Sequence, residues 1–169
     1  MKAPVARQYL SEALFRLMAK MDYRSISVSR LVSVAGVSRS TFYRNYYDML
    51  DIIDEFYKDT ISEIYSKYPL SESTMNSVIT NIFRELKSKR NEFEILNRQG
   101  LLDRMSPHVY NTSLKQINNM GVWHNRYQPH FFAGASFALI KAWIEYGFEE
   151  TEEEITNIFL KSLEGYMFS

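Results

Sequence analysis

Residues 27–53 read SVSRLVSVAGVSRSTFYRNYYDMLDII, and the fold can be worked out from this stretch. Ser27 precedes an apolar run. A serine there offers its hydroxyl to the free N–H groups of a first turn, which predicts a short helix from about Val28 to Ala35. Gly36 supplies a tight turn, because it reaches backbone conformations closed to most residues. Ser38 caps a second helix running to about Tyr46. Asp48 opens a long third one, with Asp51 three residues on in the capping-box position. Two short helices joined by a glycine turn make a helix-turn-helix unit. Leu31, Ala35, Val37, Phe42 and Tyr46 are the apolar positions that lock it to a preceding helix. That helix spans about Val5 to Met21, and its inward face is Leu10, Ala13, Leu14, Leu17 and Met21.

The geometry of the second short helix decides what it can touch. With Phe42 pointing inward, Tyr46 lies about 40° away and also faces the core, at about 100° per residue. Ser40 and Arg44 point about 160° away, on either side of the outward direction, with Thr41 and Tyr43 at about 100°. Arg39 reaches round from the first turn. Hydroxyls suit phosphates or base edges, arginine suits guanine or phosphate, and the small Ser40 permits close approach to a major groove. On the first short helix Ser29 and Arg30 point away from Leu31, placed for a sugar-phosphate backbone, and each helix N-terminus presents free N–H groups.

Charge agrees with that face. Residues 1–47 carry Lys2, Arg7, Arg16, Lys20, Arg24, Arg30, Arg39 and Arg44 against Glu12 and Asp22, a net +6, while the remainder carries −6. A basic head on an acidic body is what a nucleic-acid module joined to another domain requires.

Outward from the motif, glycine and proline are scarce and apolar residues recur at three and four, so the chain is expected to be all-α, with about nine helices. Val28 to Val34 is the nearest to a strand-like stretch and reads better as helix. The long helix opened by Asp48 ends at Pro69. Further helices are expected from about Ser73 to Lys89, around Phe93 to Gln99, and then to about Met120, this one kinked or restarted near Pro107 after a break at Gly100. A loop follows from Gly121 to Arg126. The next helix runs from about Pro129 to Tyr146, stopped by Gly147, and Thr151 to Glu154 is a capping box opening the last. The expected division is residues 1–47, a three-helix head suited to DNA, and 48–169, a larger helical bundle.

At AGVSRSTFYRNY (residues 35–46) the chain resembles the TetR family of transcriptional regulators, in which A-G-V-S-x-x-T-F/L-Y-x-x-F is typical. The resemblance covers residues 9–56, with Ser27-Val28 matching the start of the second helix and Leu50 to Ile53 the opening of the fourth. It implies a homodimer on a palindromic operator in double-stranded DNA, a repressor responsive to a small-molecule effector of unknown identity, with DNA binding in residues 1–47 and ligand sensing and dimerisation in residues 48–169. It also implies a recognition helix carrying Ser38, Arg39, Ser40, Thr41, Tyr43 and Arg44, with supporting contacts from Val28, Ser29 and Arg30. There are departures. Asp22 stands where glycine is frequent, Tyr46 where phenylalanine is common, Met49 where a lysine often touches phosphate, and Tyr47 where a polar or basic residue is usual. Losing a basic contact flattens the salt dependence by roughly one unit of slope. Tyr47 and Met49 keep a second reading open: a protein-interaction module of the same shape with weak or lost DNA binding.

In the body, Phe83, Phe93, Tyr110, Trp123, Phe131 and Phe132 are the candidates for an apolar ligand pocket. Phe137, Ile140, Ile144, Ile158, Leu160 and Leu163, on the last two helices, are the candidates for a two-fold dimer interface, where Ala133, Gly134 and Ala138 permit close approach. Both sets also fit each protomer's own core. His108, His124 and His130 lack the i, i+4 spacing of a helical metal site, so no metal is expected. No nucleophile–base pair, phosphate loop or dinucleotide fingerprint is present, so neither an enzyme nor a cofactor is expected. Cysteine is absent, and no apolar run reaches the roughly 20 residues of a membrane span. A cytoplasmic protein is expected, with no membrane partner.

Overall fold

The computed structural model describes residues 3–69, 75–120 and 125–167. Among these it is all-helical, with nine α-helices and no strand. Helix α1 spans Ala3–Met18, α2 Val28–Ala35 and α3 Arg39–Asn45. Ser27 accepts from the Arg30 N–H at 3.2 Å and Ser38 from the Thr41 N–H at 3.1 Å, so both short helices start where their serines dictate. Gly36 takes φ +67°, and the Val37 N–H then reaches the Val32 carbonyl at 3.0 Å, closing α2. Between α1 and α2 the chain makes a short 3-10 turn, Tyr23–Ser25, which periodicity did not reveal. Asp22 caps it by accepting from the Arg24 N–H at 2.8 Å, which gives this aspartate a role in place of the usual glycine.

Helix α4 spans Leu50–Lys67. Its capping box forms as expected: Asp48 accepts from the N–H groups of Leu50 and Asp51, and Asp51 accepts from those of Tyr47 and Asp48. Helix α5 is Met75–Ser88 and α6, Arg90–Arg98, follows almost at once, starting earlier than the expected Phe93. Gly100, at φ +68°, ends α6. The break expected near Pro107 is a 3-10 turn, Leu102–Met105, running straight into α7, Ser106–Met120. Helix α8 is Gln128–Glu145 and α9 is Glu152–Met167, opened by the Thr151–Glu154 capping box.

Helix α1 packs on α2 and α3 to make the head, and also on α4 and α6. The body is built from α7 on α8, α5 on α9, and α4 against α7. One continuous apolar core runs through both parts, from Leu14, Leu31 and Phe42 to Trp143 and Phe159. At the α8–α9 corner Phe148 is buried in the left-handed region at φ 56°. Its N–H bonds the Trp143 carbonyl at 2.8 Å and its ring meets the indole edge-on at 4.8 Å. Those contacts offset a backbone cost of roughly 1–2 kcal/mol for a side chain held there. Among the described residues no helix is long and apolar enough to cross a membrane.

Candidate nucleic-acid interface

The outward face of the head is assembled from within. Phe42 is fully buried beneath α3, and Tyr46, although already extended beyond the end of α3 at φ −141°, is buried too. With these two inward, Arg39, Ser40, Tyr43 and Arg44 are exposed and Thr41 is half-buried. Tyr43 is 56% exposed but not loose, since its ring stands edge-on against Phe42 at 5.2 Å. The hydroxyl of Ser38 lies 2.8 Å from that of Ser40 and 2.9 Å from that of Thr41, a compact polar group at the first turn. On α2, Ser29 and Arg30 are exposed and Val28 is half-buried against the core. Arg30, Arg39 and Arg44 have no ion-pair partner among the described residues. Arg7 and Arg24, by contrast, are held by Glu55 at 2.6 Å and by Asp22 at 3.3 Å. These three unpaired arginines therefore sit on the same helices as the polar face, while Arg16 and Lys20, also without an ion pair among the described residues, lie on α1 and just after it.

A network that sequence reasoning missed fixes α3 to its neighbours. The Tyr46 hydroxyl donates to Glu55 on α4. Glu55 also takes Arg7, and Arg7 donates from Nε to Asn45 at 3.2 Å. Burial, and then the Glu55 carboxylate, push the Tyr46 phenol well above its usual range, so it stays a neutral donor. Tyrosine in the customary phenylalanine position thus adds a polar tie between α3 and α4. The only hint in the sequence was the departure itself.

No protein-family model matches the chain, and no curated protein matches it. Solved structures do. A TetR transcriptional regulator from Streptococcus agalactiae superposes with a TM-score of 0.67 at 16% identity, over 95% of this chain and 94% of that one. The TetR family repressor AlkX from a Dietzia species gives 0.62 at 13% identity, over 94% and 96%. The dihydroxyacetone kinase operon activator DhaS gives 0.67 at 14% identity, over 96% of both chains. The chain has the TetR-type fold. The similarity extends across head and body alike, well beyond the motif at residues 35–46.

The body residues singled out from sequence go to separate places. Phe83 and Phe132 line a cavity of about 20 Å³ with Tyr65, Ile79, Ser136 and Phe159, room for a water rather than an effector. Phe93 is buried elsewhere, against Phe56 at 5.9 Å and Tyr57 at 6.3 Å. Tyr110 is half-buried, its hydroxyl 2.6 Å from Nδ1 of His130. Phe131 is 51% exposed, and Trp123 lies outside the described residues, as does His124. The five described aromatics do not form one pocket, because helical spacing sets a side chain's direction and not which neighbouring helix it meets. A cleft of about 680 Å³ between α1 and α4 has mixed walls, Ile52 and Phe56 beside Arg7, Glu12, Glu55 and Asp59, and holds none of the aromatics expected of the pocket.

The residues proposed for dimerisation divide as well. Ile140, Ile144 and Leu163 are buried in the protomer's own core, while Phe137 and Leu160 are half-buried and Ile158 is exposed. The apolar surface that α8 and α9 leave open is a shallow groove of about 350 Å³ lined by Phe131, Ala135, Ala138, Leu139, Ala142 and Ser162. Phe131 had been grouped with the pocket instead. Among the described residues no group of three or more His, Asp or Glu is placed to hold a metal ion.

Proposed function

We propose that this protein is a transcriptional regulator that binds double-stranded DNA as a homodimer and represses from a palindromic operator. Residues 1–47 are the DNA-binding head, and residues 48–169 dimerise and sense an effector. Helix α3 lies in the major groove with Ser40, Thr41, Tyr43 and Arg44 toward the bases and Ser38 and Arg39 at the groove edge. Val28, Ser29 and Arg30 of α2 meet the phosphate backbone. No catalytic step and no cofactor belong to this reading. The observation that carries it is the α3 face: an exposed run of hydroxyls and unpaired arginines on a helix held from below by Phe42 and Tyr46. One head reads a half-site, so two must be paired. The open small-residue groove on α8 and α9 is the surface we assign to that pairing.

The test is selection of bound fragments from the source genome, followed by an anisotropy titration and a reporter driven from the selected fragment. Saturable binding to a two-fold site, with reporter output rising when the protein is removed, supports the proposal. Output falling instead makes the protein an activator, as the name of one similar protein has it. No binding to any fragment favours the second reading, an interaction module. One observation speaks for that reading: Tyr47, 90% exposed beside α3, is a large aromatic where a cation would serve DNA better.

A further inference from the structure

One amide side chain ties the end of α6 to the turn between α1 and α2. Gln99, at the end of α6, donates from Nε2 to the carbonyl of Met18 at 2.8 Å and to that of Met21 at 3.0 Å. Its Oε1 accepts from the backbone N–H of Tyr23 at 3.0 Å. Met18 is the last residue of α1 and Tyr23 the first of the 3-10 turn, so neither group has a partner within its own helix. A single residue of the body thus satisfies three backbone groups of the turn that feeds Ser27 and α2.

The chain beyond Gln99 is anchored to α4. Gly100 turns it back at φ +68°, and the Leu101 carbonyl accepts from the Tyr57 hydroxyl at 3.1 Å. Arg104 then forms a two-pronged ion pair with Asp54, its Nε 2.8 Å from Oδ1. Tyr57 and Asp54 both lie on α4, which continues directly from the head. Residues 99–104 therefore hold the entrance to the helix-turn-helix through Gln99 and its exit through α4.

We propose that Gln99 is a positioning residue: it fixes the angle of each head on its body and so sets which half-site spacing the dimer binds. This rests on the DNA-binding reading above. A side chain that only stabilised the turn would affect melting and the exchange of the Tyr23 amide, but not the half-site spacing that is bound. A positioning residue also sets which half-site spacing is bound.

The experiment compares the full-length wild type with Gln99→Met, which keeps the side chain's length and loses its hydrogen bonds. Amide hydrogen exchange is followed by NMR, and affinity is measured for duplexes whose two half-sites are separated by spacers differing in single base pairs. The Tyr23 amide is protected in the wild type and loses that protection in Gln99→Met, while the amides of α2 and α3 keep theirs. The variant's preference for the best spacing falls roughly tenfold, within the usual range of coupling between sites, with binding to a lone half-site unchanged. An unprotected Tyr23 amide in the wild type overturns the proposal, and so does a Gln99→Met protein with wild-type spacing preference. Gln99→Glu keeps the acceptor for Tyr23, so that amide stays protected, but sets a negative charge against two carbonyls; if Gln99→Met does not fold, it gives the same loss of spacing preference. Failure of the wild type to bind any duplex overturns the DNA reading instead, and is told apart because the exchange arm contains no DNA.

Discussion

Two regions of this molecule expose their working surfaces for different reasons. In the head, each outward side chain is placed by residues a few positions away: Ser27, Gly36 and Ser38 set the helix ends, and Phe42 orients Ser40, Tyr43 and Arg44. In the body, exposure depends on which remote helix arrives. Ile140 and Phe131 lie on the same helix, yet α9 and α5 cover the first, while the second faces outward in the groove beside α9. Local chemistry fixes the small exposed surface of α3, whereas a bundle's surfaces are fixed only when it is packed.

The comparison breaks first on cooperativity. Phe42→Ala removes a fully buried ring at the base of α3 and should cost about 3–5 kcal/mol. Because the core is continuous through α1 and α4, calorimetry should show head and body melting in one transition at a lower temperature. Two separate transitions would mean the head is independent of the body.

Alkaline pH probes the body more gently. Burial raises the phenol of Tyr57 well above its ordinary value, which is about 10 in the unfolded chain. The unfolded state ionises first. The stability held by neutral Tyr57 is therefore complete below about pH 10 and declines as pH rises toward the folded value, at up to about 1.4 kcal/mol per pH unit. Urea titrations between pH 9 and 11 should show a shallower decline in Tyr57→Phe. Equal slopes would show that Tyr57 is solvated.

This contrast explains what could be read beforehand. The all-α class, the helix order and the capping boxes at Asp48 and Thr151 were legible because each is encoded within four residues. The exposed face of α3 was legible because one buried ring fixes the phase of a two-turn helix. The pocket was not: Phe83 and Phe93 are both buried, but in different clusters, and nothing local distinguishes them. Gln99 was equally silent, since its partners at Met18, Met21 and Tyr23 lie more than seventy residues earlier in the chain.

Smaller effects sharpen the account of the head. Gly36→Ala meets no clash but must adopt φ +67°, and should cost about 1 kcal/mol or slightly more in chemical denaturation. An unchanged midpoint would mean the turn relaxes freely. Tyr46→Phe deletes the donor to Glu55 and should cost about 1 kcal/mol, seen as faster amide exchange in α3. If α3 exchanges as in the wild type, the tie to α4 adds nothing.

On the proposed reading, Arg30, Arg39 and Arg44 of the head meet DNA and the body's arginines do not. It is tested by removing one charge from each region, Arg44→Ala on α3 and Arg84→Ala on α5, and titrating both against the selected operator at several salt concentrations. Both positions are exposed, so neither change should alter folding stability. Arg44→Ala should weaken binding by at least about 1 kcal/mol and reduce the salt slope by about one unit if Arg44 meets a phosphate. Arg84→Ala should leave both unchanged. Equal effects of the two substitutions, or none from Arg44→Ala, would contradict the assignment of the α3 face to DNA.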